Sequence, residues 1–170
     1  ETLTPAMAAS AELAFKEASD SGSLLGGKYI KAMRGDSTCA DSAAGTTAAQ
    51  GLIDGGVVAI MGADCSGVTT AIADNAAIPN GVVMISPSAT SPALTSINDN
   101  GYFFRTAPSD ARGGEILAKI TKDRKVKSVA ITYTNNDYGK GLADVYESFV
   151  KSLGIKVTAV TAHEEGKADY

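Results

Sequence analysis

The stretch VVAIMGADCSGVTTAIADNAAIPNGVVMISP, Val57–Pro87, sets two short apolar runs on either side of a small-residue segment. Neither run alternates; VVAIMG and VVMIS are continuous, the pattern of strands buried on both faces of a parallel sheet. The segment between them, Val68–Ala77, spaces its apolar residues as a helix does. Two strands joined through a helix run parallel, because a tight turn cannot connect them, and the crossover is right-handed. Each strand ends in hydroxyl-bearing residues: ADCSG after the first and SPSATSP after the second. In open α/β sheets, ligands bind beyond the carboxyl ends of the strands.

The same alternation extends outward. LTPAMAASAELAFKEASDSG predicts a helix with Thr4 as N-cap, Pro5 as first helical residue and an apolar stripe of Met7, Ala11, Ala14 and Phe15. KYIKAMRG, residues 28–35, predicts a strand, followed by the loop DSTCADS and a helix to about Leu52. Beyond Pro92 come an aromatic strand in GYFFRTAPSD, the helix DARGGEILAKITK, the strand KSVAITYT, the helix YGKGLADVYESFVKSLG and the strand IKVTAVTA. Strand and helix alternate throughout, which is parallel α/β architecture. The chain opens on a helix and stops at a polar turn. A sheet without its opening strand leaves backbone groups unpaired, so the sequence reads as a fragment of a longer polypeptide, or one completed by a strand from another chain. Dimerisation through the incomplete sheet is expected if it folds alone.

Composition excludes several functions. Net charge is −4 over 170 residues, and no Lys/Arg cluster forms a nucleic-acid footprint; KDRKVK, residues 122–127, reads as basic residues favouring a helix C-terminus. No apolar run is long enough to cross a bilayer. One histidine and two cysteines are too few ligands for a Cys/His zinc site. No GxSxG elbow, Walker loop or HExxH motif is present, Asp137 and Asp144 make no obvious catalytic pair, and nothing calls for a cofactor. On count alone Cys39 and Cys65 fit buried free thiols at least as well as a disulfide. Both follow predicted strands at one sheet edge, where a bridge would close a loop of about 26 residues and contribute ~3–4 kcal/mol.

Ser66 stands at the predicted N-terminus of the Val68–Ala77 helix, where a hydroxyl and unpaired N–H groups can hold an anion, although a single serine there is more commonly a plain cap. Gly67 beside it lets a ligand approach the backbone. In SPSATSP, Pro87 and Pro92 stiffen a loop whose Ser88 and Thr90 flank the small Ala89. Such a loop can serve a carboxylate and an ammonium together, and without the Cys65–Ser66 edge it reads as an ordinary turn. In NNDYGKG, Asp137 is the expected cap of a helix begun by Tyr138, whose ring either covers an apolar ligand side chain or is half-buried structure.

Taken together, GDSTC, GADCSGVTTAIAD, VVMISPSATSPALT, FFRTAPSD and NNDYGKGLA, in this order, resemble the leucine/isoleucine/valine-binding protein family, over essentially all of the chain. The resemblance implies a type I periplasmic-binding-protein fold with a helix-flanked parallel sheet in each of two lobes. Residues 1–107 map onto the first lobe, its opening strand missing, and 108–170 onto the beginning of an incomplete second. It implies that Ser66 and Thr90 give hydroxyls to a ligand α-carboxylate, that Ser88 offers main-chain atoms toward the α-ammonium and carboxylate with the small Ala89 beside it at the ligand, and that Tyr138 closes from the second lobe. It also implies a Cys39–Cys65 disulfide at the rim. The family's acidic partner for the ammonium would fall beyond Tyr170, and Leu3 falls near a position that can carry an aromatic contact. The function so implied is non-catalytic: a periplasmic or secreted solute-binding protein that delivers an amino acid to the membrane permease of an ABC transporter. The ligand-sensing domain of a receptor or regulator, of amino-acid, amide or urea type, is the alternative.

Overall fold

A computed structural model of the chain describes residues 5–166; Leu3 and Thr4, the expected aromatic-contact position and helix cap, lie outside them. The elements, in order, are α1 (Pro5–Asp20), α2 (Ser42–Asp54), β1 (Ala59–Met61), α3 (Ser66–Ile72), β2 (Val83–Ser86), β3 (Phe103–Arg105), α4 (Asp110–Asp123), β4 (Ser128–Thr134), α5 (Asp137–Ser152) and β5 (Lys156–His163). α3 continues into a π-helical turn, Ala73–Ala77, and a 3-10 turn spans Pro92–Thr95. Two parallel sheets result, β1-β2-β3 and β4-β5. The chain passes from one to the other between Arg105 and Asp110, where Pro108 cannot donate to a ladder.

Two clusters of buried side chains correspond to the two sheets. Under the first, Val68 and Ile72 of α3, the alanines of the π turn and Phe103 close around fully buried Met84. α2 packs on this layer through Gly45, where an added Cβ would lie 2.6 Å from both Val68 Cγ1 and the Ser37 carbonyl oxygen. Under the second sheet, Ala118 of α4, Val150 of α5 and Ile155 meet, with Val129 and Tyr146 against them. Gly114 lets α4 approach α5: a Cβ there would stand 2.6 Å from Val145 Cγ1.

Three expectations need correction. Residues 28–35 form no strand. Their strand-like composition finds no neighbouring edge, and a strand is defined by its ladder; the segment is exposed and held to α1 by the Arg34–Glu12 ion pair, with bonds of 2.7 and 2.8 Å. Arg34's hydrogen bond holds the Glu12 carboxyl below its ordinary range. β1 is not buried on both faces: among the described residues it pairs with β2 alone, and Met61 is 45% exposed. The third concerns α5, whose cap is Asn136 rather than Asp137; Asn136 Oδ1 accepts the Gly139 N–H at 2.8 Å.

Candidate functional site

β1 and β2 end side by side, Met61 opposite Ile85, so the two hydroxyl-rich loops leave the sheet together. A chain of hydrogen bonds ties them. The Ala63 carbonyl oxygen accepts from Thr69 Oγ1 at 3.0 Å and from Ser86 Oγ at 2.6 Å. Ser86 Oγ in turn accepts the Ala89 N–H at 3.0 Å. Ser88 Oγ donates to the Asp64 carbonyl oxygen at 2.9 Å, and Ser66 Oγ accepts the Ser91 N–H at 3.2 Å. Every one of these links joins the first loop or helix to the second, or braces one of them from within. Buried hydroxyls are stable only when bonded in this way; Thr69 and Ser86 are both 0% exposed.

The structure therefore brings Ser66, Ser88, Ala89 and Thr90 into one cluster, and it distributes their protons unequally. Ser88 gives its hydroxyl proton to Asp64. Thr90 gives its own to Asp110 Oδ2 at 2.6 Å, and the Asp110 N–H returns a bond to the Thr90 carbonyl at 3.0 Å. Ser66 Oγ accepts a bond while its proton has no acceptor among the described residues. Ala89 is 1% exposed, its methyl part of the core, so it offers main chain only. Among the described residues the N–H groups of Ser88 and Thr90 also have no acceptor.

α3 adds further donors. Its cap, Cys65, makes no side-chain bond to the first turn, and the first N–H groups of a helix have no intrahelical acceptor. With the helix dipole they favour a negative group at that end. Cys65 is bonded to Cys39, with Cα atoms 5.5 Å apart. The bridge pins the 36–41 loop to the start of α3, against the same Val68 that Gly45 packs on.

Against these loops stands the start of α5. A Cβ on Gly67 would lie 3.4 Å from Asp137 Oδ2, and one on Gly141 would lie 3.0 Å from Pro92 Cδ and 3.1 Å from Ser91 Oγ. The first two turns of α5 thus stand against the start of α3 and the end of the Ser/Pro loop. Tyr138 follows Asp137 in the same turn, half exposed. On the other side, an apolar groove of about 340 Å³ runs from Pro87 past Met61 to Met7 and Ala11 of α1. Among the described residues no three metal-ligating side chains come together.

Sequence reasoning missed Thr69, Ser86 and Arg105. The first two could have been noticed as hydroxyls within otherwise apolar runs. Arg105, at the end of β3, holds the Ser/Pro loop from behind: Nη1 donates to the carbonyls of Ala89 at 3.3 Å and Ser91 at 2.8 Å, and Nη2 to Thr95 Oγ1 at 2.6 Å.

Residues 6–170 match the family model described as the receptor family ligand binding region. Among curated proteins, a Leu/Ile/Val-binding protein of Rhizobium johnstonii is 32% identical over 161 residues, covering 94% of this chain and 43% of the relative. The leucine-, isoleucine-, valine-, threonine- and alanine-binding protein of Pseudomonas aeruginosa is 31% identical over 149 residues, 86% of this chain and 39% of its own length. Among solved structures, an ABC transporter substrate-binding protein of Desulfitobacterium hafniense in complex with Leu superposes with a TM-score of 0.74 at 30% identity, over 97% of this chain and 48% of that one. The chain thus spans less than half the length of these relatives.

Proposed function

Because the chain belongs to the receptor family ligand binding region and has the type I periplasmic-binding-protein fold, we propose that it supplies the carboxylate-binding part of an extracytoplasmic solute-binding protein. The ligand is an amino acid, branched-chain or a close relative, and the recipient is the membrane permease of an ABC transporter. Residues 1–107 form the first lobe and 108–170 begin the second. The observation that carries this proposal is that donors on two hydrogen-bonded neighbouring loops have no acceptor among the described residues: the Ser66 hydroxyl, the first-turn N–H groups of α3, and the N–H groups of Ser88 and Thr90. A carboxylate is the group that such a cluster satisfies.

Ligand contacts from both sides then favour closure, with Tyr138 and the start of α5 arriving over the bound molecule. A ligand shifts open and closed populations only by its differential affinity for them. Donors on one lobe and a covering aromatic on the other supply such a difference. The site holds a solute rather than transforming it, a reading supported by the solute-binding relatives. Native mass spectrometry of the full-length protein as purified, followed by calorimetry with L-leucine, tests this: a retained or titratable amino acid supports it, and failure to bind any amino acid in a full panel overturns it.

One observation favours a second reading, that of a sensing domain in a receptor: the matched family model is itself described by receptors. Reconstitution with a permease decides between them. Ligand-dependent uptake identifies a transport component, and its absence despite tight binding identifies a sensor.

A further inference from the structure

We infer that Arg105 is the residue that aims the ligand donors of the Ser/Pro loop. This assignment rests on the carboxylate site proposed above and adds to it a positioning residue that never touches the ligand. The carbonyl oxygen of Ala89 and the N–H of Thr90 belong to one peptide unit. In a trans peptide these two groups point in opposite directions, and the Ala89–Thr90 bond is trans. The guanidinium draws the Ala89 carbonyl backward at 3.3 Å and the Ser91 carbonyl at 2.8 Å. The Thr90 N–H is thereby turned away from Arg105, with no acceptor of its own among the described residues.

Two further contacts fix the direction. The Ala89 N–H is tied to Ser86 Oγ at 3.0 Å, so the plane before Ala89 is set from the strand while the plane after it is set by Arg105. The second arm of the guanidinium is anchored on Thr95 Oγ1 at 2.6 Å, which prevents the fork from rotating. β3 is in register with β2 at this point, Ser86 opposite Arg105, so both braces rise from neighbouring strand ends. A planar fork is required. A lysine ammonium is a point charge that cannot hold two carbonyls and a hydroxyl in one plane.

Calorimetric titration of the full-length protein with L-leucine and with L-leucinamide, which replaces the carboxylate by a neutral amide, tests the assignment. The wild type should prefer leucine. In Arg105→Lys that preference should shrink by about 10-fold, the equivalent of one weakened charge-assisted hydrogen bond, while affinity for the amide changes little. Thr95→Val, at an exposed position, should shift the preference in the same direction and serves if Arg105→Lys does not fold. A preference kept at wild-type size in the folded variants overturns the role of Arg105, as does an equal loss for both ligands, which is what general loosening of the fold produces. A wild type that does not discriminate leucine from its amide overturns the carboxylate site itself.

Discussion

Replacing Ser66 by alanine removes two things at once, and the structure allows each to be sized. Ser66 Oγ accepts the N–H of Ser91, a residue 2% exposed. Without it that donor is left buried and unpaired, a loss of about 1–3 kcal/mol; the 3.2 Å separation is at the long end for such a bond, which favours the lower figure. On the ligand side the variant loses a hydroxyl donor to a carboxylate, a charged hydrogen bond of about 1.5–3 kcal/mol, or a Kd raised roughly 10- to 150-fold. Thr69→Val is the matched control. Its hydroxyl is on the same helix, equally buried, and bonded inward to the Ala63 carbonyl at 3.0 Å, so its removal should lower stability by about 1 kcal/mol and leave affinity nearly unchanged. Urea unfolding gives one quantity and calorimetry with L-leucine the other. If the two variants lose affinity equally, or Ser66→Ala keeps it within about twofold, the hydroxyl does not reach the ligand and the reasoning fails.

Two other perturbations follow from packing. Gly113 and Gly114 are adjacent on α4, yet a Cβ on the first meets nothing within 4 Å and on the second lies 2.6 Å from Val145 Cγ1. Gly113→Ala should therefore stabilise by about 0.5–1 kcal/mol through helix propensity, and Gly114→Ala should destabilise by about 1–3 kcal/mol through overpacking; thermal unfolding of both reads the sign. Replacing Cys39 and Cys65 together by serine opens a loop with a sequence separation of 26 and should lower unfolding free energy by about 3.5 kcal/mol in the chain-entropy model. A loss below about 1 kcal/mol in urea titrations would show that the bridge does not restrain the unfolded chain as that model requires.

The order of helices and strands was legible because apolar periodicity is local, and the elements from α2 onward fall close to where spacing puts them. Two of the three failures are non-local. KYIKAMRG has the composition of a strand, but a strand exists only with a partner edge, and no local pattern reveals whether one is present. VVAIM is apolar enough for two buried faces, whereas its exposure depends on what lies beyond β1. Asn136 and Asp137 are comparable caps, so the start of α5 could not be placed to one residue by type alone. At the site, Ser66 and the Ser/Pro loop were visible as small hydroxyl residues after strands. Which of them still has a proton to give was not, because Asp110 is 20 residues from Thr90 and Asp64 is 24 residues from Ser88.

That distribution of protons ranks the donors. Thr90 has one hydroxyl proton, already committed to the Asp110 carboxylate at 2.6 Å. A ligand carboxylate that takes it exchanges one charged acceptor for another of the same kind, and the net gain from that bond is small unless Asp110 finds a better donor. Ser66 makes no such exchange: its proton has no acceptor among the described residues, and one of its two lone pairs already accepts the Ser91 N–H. Thr90→Val should accordingly weaken L-leucine binding by less than Ser66→Ala, although both hydroxyls belong to the same cluster. The opposite order in calorimetry would mean that Asp110 leaves Thr90 when the ligand arrives. The first turn of α4 would then have to move, because the Asp110 N–H is bonded to the Thr90 carbonyl.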